Sequence, residues 1–439
     1  MRQRGLASVV AAFLSGLSLS CGGGGQTTLP SSASKATPAA AAAAAAPAPT
    51  LGPPNVVLIL ADHHGWGDLG SYGNRTIRTP NLDRIAAEGE RYTNFYVAAP
   101  MCAPSRAALL TGRYPTSVGI PWNPPLRLNR GEVVIATPLH DRGYATGMVG
   151  KWHLGWEKTD MPVYFGFDFY YGIPAGEDET QFILGDEPTT DTVSPDQLAR
   201  RYTDEAIRFI GARGARPVFM YVAHRDPHLP NAPAPEFVGR STAGAYGDVI
   251  EQLDFSVGRL MSALAAMGID QNTLVIFTSD NGPVEPPGSA GMYSGAKGSC
   301  EEGGIRVPLL MRWPARIPAG RVVTELASNL DIFPTLLTFT GASPPYRSLH
   351  GRDISPLVTG AVDKVAGQGI DGGRELVFFG QNGAAALRSG RWKYLRAGLW
   401  SGTPTLFDID SDPTEKRDLS RARPDLVKQL EARLQDLSR

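Results

Sequence analysis

Val56-Val57-Leu58-Ile59-Leu60 is an unbroken apolar run of strand length, closed at once by Ala61-Asp62-His63-His64. A continuous run of aliphatic residues, rather than an alternating one, reads as a strand covered on both faces, the setting of a parallel sheet. Val218-Phe219-Met220-Tyr221-Val222 and Leu274-Val275-Ile276-Phe277 have the same form. Between them Val249, Ile250, Leu253, Val257, Leu260, Met261 and Leu264 recur at helical spacing and give one buried stripe. This alternation predicts an α/β fold: a large, mainly parallel sheet flanked by helices. Each strand is followed by polar residues, Asp62 after the first, His228 shortly after the second and Asp280-Asn281-Gly282 after the third. Ligands of open α/β sheets bind just outside the carboxyl ends of the strands, so these side chains are expected to converge on one crevice. Hard divalent cations take carboxylates and amide carbonyls, which makes Asp62, Asp280 and Asn281 a candidate ligand set, although each alone reads as a cap after a strand.

The chain has 439 residues, 42% of them hydrophobic and 19% charged, enough for one large or two unequal domains with a sizeable core. A net charge of -1 offers neither a basic patch for nucleic acid nor an acidic tail, so attraction for an anionic ligand has to be local. Three cysteines rule out a disulfide framework and leave Cys300 as an inert, packed thiol.

The N-terminus reads as an export signal. Arg2 and Arg4 precede an apolar stretch from Leu6 to Leu19, then Cys21 and Gly22-Gly23-Gly24-Gly25. The apolar stretch is shorter than the roughly 20 residues a membrane span needs. The arrangement resembles a bacterial lipoprotein signal, which implies a lipidated Cys21 and a membrane-anchored protein in the periplasm or at the cell surface. It departs from the usual pattern in that a Leu stands four rather than three positions before the cysteine, with Leu19 where a small residue is usual; a conventional cleaved signal, leaving a soluble exported protein, is the alternative. Residues 22–54, rich in Gly, Ser, Pro and Ala, form a tether with no apolar pattern to bury. The organisation expected is a signal at 1–21, a tether at 22–54, a main body at 55–360 and a small C-terminal subdomain at 361–439.

Cys102-Ala-Pro-Ser-Arg106-Ala-Ala-Leu-Leu-Thr111-Gly112-Arg113 decides the chemistry. A lone cysteine is most often a small packing residue. Here the Cys, Pro, Ser, Arg, double Leu and Thr-Gly-Arg all stand at the spacing of the formylglycine-dependent sulfatases, and the chain resembles that family over nearly all of residues 55 to 439. The resemblance implies an alkaline-phosphatase-like fold with a small C-terminal antiparallel sheet plus helix. It also implies that a maturation enzyme oxidises Cys102 to formylglycine on the unfolded chain, and that the hydrated aldehyde attacks the sulfur of a sulfate ester. Gly150-Lys151-Trp152-His153-Leu154-Gly155 matches a family motif whose Lys binds sulfate and whose His helps decompose the covalent intermediate. Asp226-Pro227-His228-Leu229-Pro230 matches one whose His lies beside the ester oxygen. Gly295-Ala296-Lys297-Gly298, followed by Glu302-Gly303-Gly304-Ile305-Arg306-Val307-Pro308, matches one whose Lys contacts sulfate. The chemistry needs these types, because a cation with Lys151, Lys297 and Arg106 supplies preorganised positive charge to the sulfate oxygens. His228 or Lys297 would protonate the leaving alcohol and His153 would remove the proton that allows sulfate to leave.

The resemblance implies Ca2+ at Asp62, Asp280 and Asn281, with one departure. The family usually carries a second Asp where this chain has His63. Either His63 supplies a nitrogen, biasing the site toward a softer ion such as Mn2+ or Zn2+, or it stays out of the shell and a water fills the gap; loss of activity ranks last, because the other catalytic positions are kept. Ser328 to Leu337 resembles a family segment that begins a helix, with Asp331 as its cap. Leu387 to Tyr394 and Leu406 to Asp410 read as antiparallel strands, and Pro424 to Leu437 as a closing helix. The partner implied is a sulfated small molecule or carbohydrate, its leaving-group pocket formed by loops at Gly172–Thr192 and Pro283–Tyr293. Two other readings are a phosphodiester or phosphonate hydrolase on the same fold and a catalytically silent lipoprotein that binds sulfated glycans.

Overall fold

A computed structural model of the chain describes residues 51–438 apart from 124–125, 175–181, 191–192 and 398–401. The signal, Cys21 and residues 22–50 of the tether lie outside the described residues.

Among these residues the strands, in chain order, are β1 (Asn55–Ala61), β2 (Glu90–Tyr92), β3 (Phe95–Tyr96), β4 (Ala145–Lys151), β5 (Phe169–Ile173), β6 (Ile183–Leu184), β7 (Glu187–Pro188), β8 (Val218–Ala223), β9 (Thr273–Ser279), β10 (Leu309–Arg312), β11 (Arg321–Val323), β12 (Ala327–Ser328), β13 (Glu375–Gly380), β14 (Gly383–Ser389), β15 (Trp392–Leu395) and β16 (Thr405–Asp408). The helices are α1 (Pro80–Glu88), α2 (Cys102–Thr111), α3 (Ala136–Asp141), α4 (Leu198–Ala212), α5 (Gly244–Ala266), α6 (Glu302–Ile305), α7 (Ile332–Thr340), α8 (Ser355–Val358) and α9 (Pro424–Leu437).

The three apolar runs are neighbours at the centre of a ten-stranded sheet of order β11-β2-β10-β9-β1-β8-β4-β5-β6-β7. The five strands from β9 to β5 are all parallel. Antiparallel pairing is confined to the flanks, at β10 and β2 on one side and β6 and β7 on the other. Successive side chains of a strand point to opposite faces, and β1 shows why its run has no polar gaps. Val56, Leu58 and Leu60 join one core with α2, α3 and α7 residues, while Val57, Ile59 and Ala61 join a second core with α1, α4 and α5. The helical stripe on α5 enters that second core through Leu253, Val257, Leu260, Met261 and Leu264.

The C-terminal part is an antiparallel sheet of order β13-β14-β15-β16 with α9 against it. Leu426, Leu430 and Leu434 of α9, four residues apart, pack with Val377, Leu387, Tyr394 and Leu406. The structure adds β13 to the strands expected there and divides the stretch from Leu387 to Tyr394, read as one strand, into β14 and β15, which reverse at Gly390-Arg391. Residues 51–439 form one compact unit. Asp331 stands at the cap position of α7, as expected, but its side chain does not bond that helix. Its carboxylate accepts from the Ser328 and Arg352 amides and pairs with buried Arg374, whereas the first turn of α7 receives no side-chain cap from it. The buried guanidinium outcompetes the helix amides for the charge. Cys300 is free and buried, and burial pushes its thiol up to about 12, as an inert packed cysteine requires.

His224, just after β8, is buried, and its Nδ1 has no hydrogen-bond partner among the described residues. Burial brings its pKa down from 6.5 to about 4. A depressed base contributes stability that is fully present above its unfolded pKa and is lost as pH falls toward the folded value. Between pH 7 and 4 the loss reaches up to about 3 kcal/mol. Urea unfolding across this range should show a shallower pH slope for His224→Asn than for wild type, and identical slopes would refute the assignment.

Candidate active site

Hydrogen bonds carry the central strands one residue past their ends, with the Asp62 amide donating to Asp226 O at 3.1 Å and the Asp280 amide to Ala61 O at 3.1 Å. This extension sets Asp62 and Asp280 side by side at the carboxyl ends of β1 and β9. His63 then adopts φ 68°, a left-handed conformation uncommon outside glycine. Its amide donates to Asp280 Oδ1 at 3.1 Å, and its ring turns inward, Nε2 lying 3.0 Å from Asp62 Oδ1 and 3.0 Å from Cys102 Sγ. The His228 ring stands against it at 4.3 Å between centroids.

Cys102 is the first residue of α2, at the positive end of a helix whose ten residues are all buried. Asn123 anchors that end, its Oδ1 accepting from the Ala103 amide at 3.1 Å. One turn along α2, Arg106 Nε donates to Asp280 Oδ2 at 3.0 Å, Nη1 donates to Lys151 O at 2.9 Å, and Nη2 lies 3.4 Å from Asp62 Oδ2. Lys151, the last residue of β4, donates from Nζ to Asp62 Oδ2 at 2.7 Å. Gly150 lets the end of β4 lie close against β8: at φ 97° a Cβ there would lie 1.9 Å from Ala223 O. His153 follows, also at positive φ and 4% exposed. Lys297 and His228 are half-buried at the edge of the site. The charge of Lys297 acts on both Cys102 and His63.

Burial alone would raise the Asp62 carboxyl, but the charges of Lys151 and Arg106 hold it well below the ordinary carboxylate range. Asp280 goes the other way, to about 6, because burial and the neighbouring Asp62 charge outweigh Arg106 and Lys151. Burial also keeps the His63 ring neutral against the pull of Asp62. The Cys102 thiol is pushed far up by burial. A neutral thiol is a poor nucleophile, so the arrangement is not that of a thiolate enzyme.

The donor set fits a divalent cation. Ligand atoms of Asp62, His63, Cys102 and Asp280 all lie within 4.8 Å of one another. Asn281 is fully buried; its Nδ2 donates to Gly282 O at 2.7 Å, and its Oδ1 has no hydrogen-bond partner among the described residues. A spare buried carbonyl beside two carboxylates is what a hard cation would satisfy.

A family profile described as Sulfatase matches residues 54–342, and a second, described as N-sulphoglucosamine sulphohydrolase, C-terminal, matches 296–439. The chain belongs to the sulfatase family. It is 37% identical to human Arylsulfatase A, covering 84% of this chain and 83% of that protein. It is 30% identical to an N-acetylgalactosamine-6-O-sulfatase of Bacteroides thetaiotaomicron, covering 88% and 93%. The crystal structure of Ps i-CgsB in complex with k-i-k-neocarrahexaose superimposes with a TM-score of 0.79 at 28% identity, covering 88% and 93%. The sulfatase therefore has the alkaline-phosphatase-like fold expected from its motifs and is an enzyme that hydrolyses sulfate esters. The catalytically silent reading is set aside.

Of the residues singled out in the sequence, Asp62, His63, Cys102, Arg106, Lys151 and Asp280 are joined by direct contacts, and His228 stands against His63. Asn281 adjoins Asp280, and His153 lies two residues beyond Lys151. Asn123 was missed, because a single Asn in a Pro-rich loop carries no signal of the helix it caps. Asp226 was also passed over within its motif; burial, with the Asp62 charge beside it, raises its carboxyl to about 7.

Because Nε2 of His63 faces the ligand cluster, His63→Asp should move metal preference toward Ca2+ and away from Mn2+ or Zn2+. Metal analysis of the two proteins after equilibration with equal mixtures checks this. The same Ca2+ occupancy in both would remove His63 from the ligand set.

Proposed function

We propose that this sulfatase hydrolyses sulfate monoesters of carbohydrates through formylglycine made from Cys102, with a divalent cation at Asp62, Asp280, Asn281 and His63. The observation that carries the reading is the setting of Cys102. Its sulfur lies 3.0 Å from His63 Nε2 and 3.6 Å from Asp62 Oδ1, at the positive end of a buried helix, in a form too hard to deprotonate to act as a thiolate. Oxidation of that position would supply a hydrated aldehyde hydroxyl as nucleophile, and the cation would add charge toward the sulfate oxygens. A maturation enzyme acting on the unfolded chain is a required partner of this reading.

The chain's own residues supply the rest. Lys151, Arg106 and Lys297 place three fixed positive charges against the two carboxylates, leaving a cationic surplus for a bound sulfate. The short contact of Lys151 with Asp62 holds its ammonium at the crevice floor. His228 donates from Nδ1 to Leu229 O at 2.7 Å, so Nε2 is the atom that exchanges a proton with the leaving oxygen. His153 is the base beyond Lys151 that accepts a proton during release of sulfate. The sugar is supported by the relatives, one named for N-acetylgalactosamine and one seen with a neocarrahexaose. The N-terminal segment supports export, with lipidation at Cys21.

The mass of the tryptic peptide ending at Arg106 tests the nucleophile: active protein should lack the thiol, and Cys102→Ala should abolish turnover while leaving thermal unfolding near that of wild type. An unmodified thiol in fully active enzyme ends the proposal. Parallel kinetics on aryl sulfate and aryl phosphate esters should favour sulfate; a phosphate preference would point to the phosphodiester or phosphonate alternative.

Lys151→Ala removes a charge that meets sulfate in ground and transition states alike, so KM should rise and kcat fall by about 10²- to 10³-fold. His228→Ala should slow unactivated sugar sulfates by about 10²- to 10⁴-fold while sparing activated aryl sulfates, which need little protonation. Equal slowing of both ester types would exclude the acid role.

A further inference from the structure

Lys297 stands on a loop that the main sheet does not hold by itself. The Lys297 amide donates to Pro283 O at 2.8 Å, and the Gly298 amide to Pro100 O at 2.9 Å, two residues before Cys102. Further anchors come from the C-terminal part of the chain. Ser294 Oγ donates to Thr414 O at 2.6 Å. The Glu302 amide, at the start of α6, donates to Glu415 Oε2 at 2.6 Å. Lys393, in the inner strand β15, puts its ammonium between Glu302 Oε1 at 2.9 Å and Glu415 Oε1 at 2.8 Å, all three side chains being fully shielded from water. Glu302 also accepts from Tyr96 OH at 2.6 Å and Arg306 Nη1 at 2.9 Å, and Arg388 of β14 donates to the same Tyr96 hydroxyl.

This network is costly to build. Each ion buried this way loses several kcal/mol of solvation, and apolar residues of the same volume would pack as well or better. Glu415 is also one of three non-glycine residues at positive φ among the described residues, a conformation that persists only where its surroundings impose it. The other two are His63 and His153, both at the active site. In some proteins buried ions fix a geometry at the expense of cohesion, and this triad joins the C-terminal sheet to the residue that ends the loop between Ser294 and Glu302.

We propose that Lys393 and Glu415 are positioning residues for Lys297: the C-terminal sheet acts through Glu302 as a clamp that holds the Lys297 loop in register with the nucleophile helix. This rests on Lys297 contacting sulfate. A fixed ammonium at the sulfate oxygens is effective only if it is already in place when charge develops, and a loop free to shift by about 1 Å loses much of that benefit.

The test is a double-mutant cycle between Lys393→Met and Lys297→Ala, read on an activated aryl sulfate, with hydrogen exchange as an activity-independent measure. Lys393→Met should lower kcat/KM by about tenfold or more in the wild-type background and by less than about twofold when Lys297 is already Ala. Amides of residues 294–303 should exchange faster in Lys393→Met, while those of β9 keep wild-type protection. Should Lys393→Met fail to fold, Glu415→Gln carries the same comparison, since it keeps an acceptor for the Glu302 amide and removes only one ion pair. Equal fold losses in both backgrounds, or unchanged protection of 294–303, would overturn the clamp. Full activity of Lys297→Ala by itself would instead refute the role of Lys297, and the clamp with it.

Discussion

Two carboxylates sealed from water at the ends of adjacent strands are the constraint around which this sulfatase is arranged. Asp62 and Asp280 are held together by the backbone pairing of β1 and β9, so their like charges cannot separate. Arg106 and Lys151 answer them from two other elements, α2 and β4, and Arg106 touches both. Breaking such a buried set by removing one partner costs about 3–5 kcal/mol, because the remaining charge stays buried. The same electrostatics explain the divergence within the pair, one carboxyl driven down and the other up to about 6, as two like charges resist ionising together.

The parallel sheet is what brings these groups into register. Its central strands all run the same way, so their ends open on one edge, and the residues that follow each strand arrive there together. Helices on both faces make the sheet interior dry, and that dryness raises the strength of every charge at the crevice. It also silences the Cys102 thiol. A site built to use a thiolate would place the sulfur where positive charge and solvent lower its pKa; here burial outweighs the nearby Lys151 and Lys297. The surplus of fixed positive charge suits an anionic group bound from outside, consistent with sulfate ester hydrolysis.

The C-terminal sheet belongs to the same design. Its buried ions do little that packing could not do better as cohesion, yet they meet the main body at the start of α6, directly after the Lys297 loop. The network links a region without catalytic motifs to the crevice, and the strain at Glu415 resembles that at His63 and His153.

What the sequence by itself determined is local in origin: the three apolar runs, the α5 stripe, the closing helix and the residue types of each motif, all of which depend on periodicity and spacing within a few residues. The convergence of Asp62, His228 and Asp280 was legible as well, because strand polarity is a general rule of such sheets. Tertiary structure alone decided how partners share charge. It set the inward turn of His63, the diversion of Asp331 to Arg374, the Asn123 cap and the Lys393 bridge between Glu302 and Glu415. The last three join residues from 20 to 113 positions apart. No short pattern records them, since a buried charge is placed by whichever distant element the packing brings beside it.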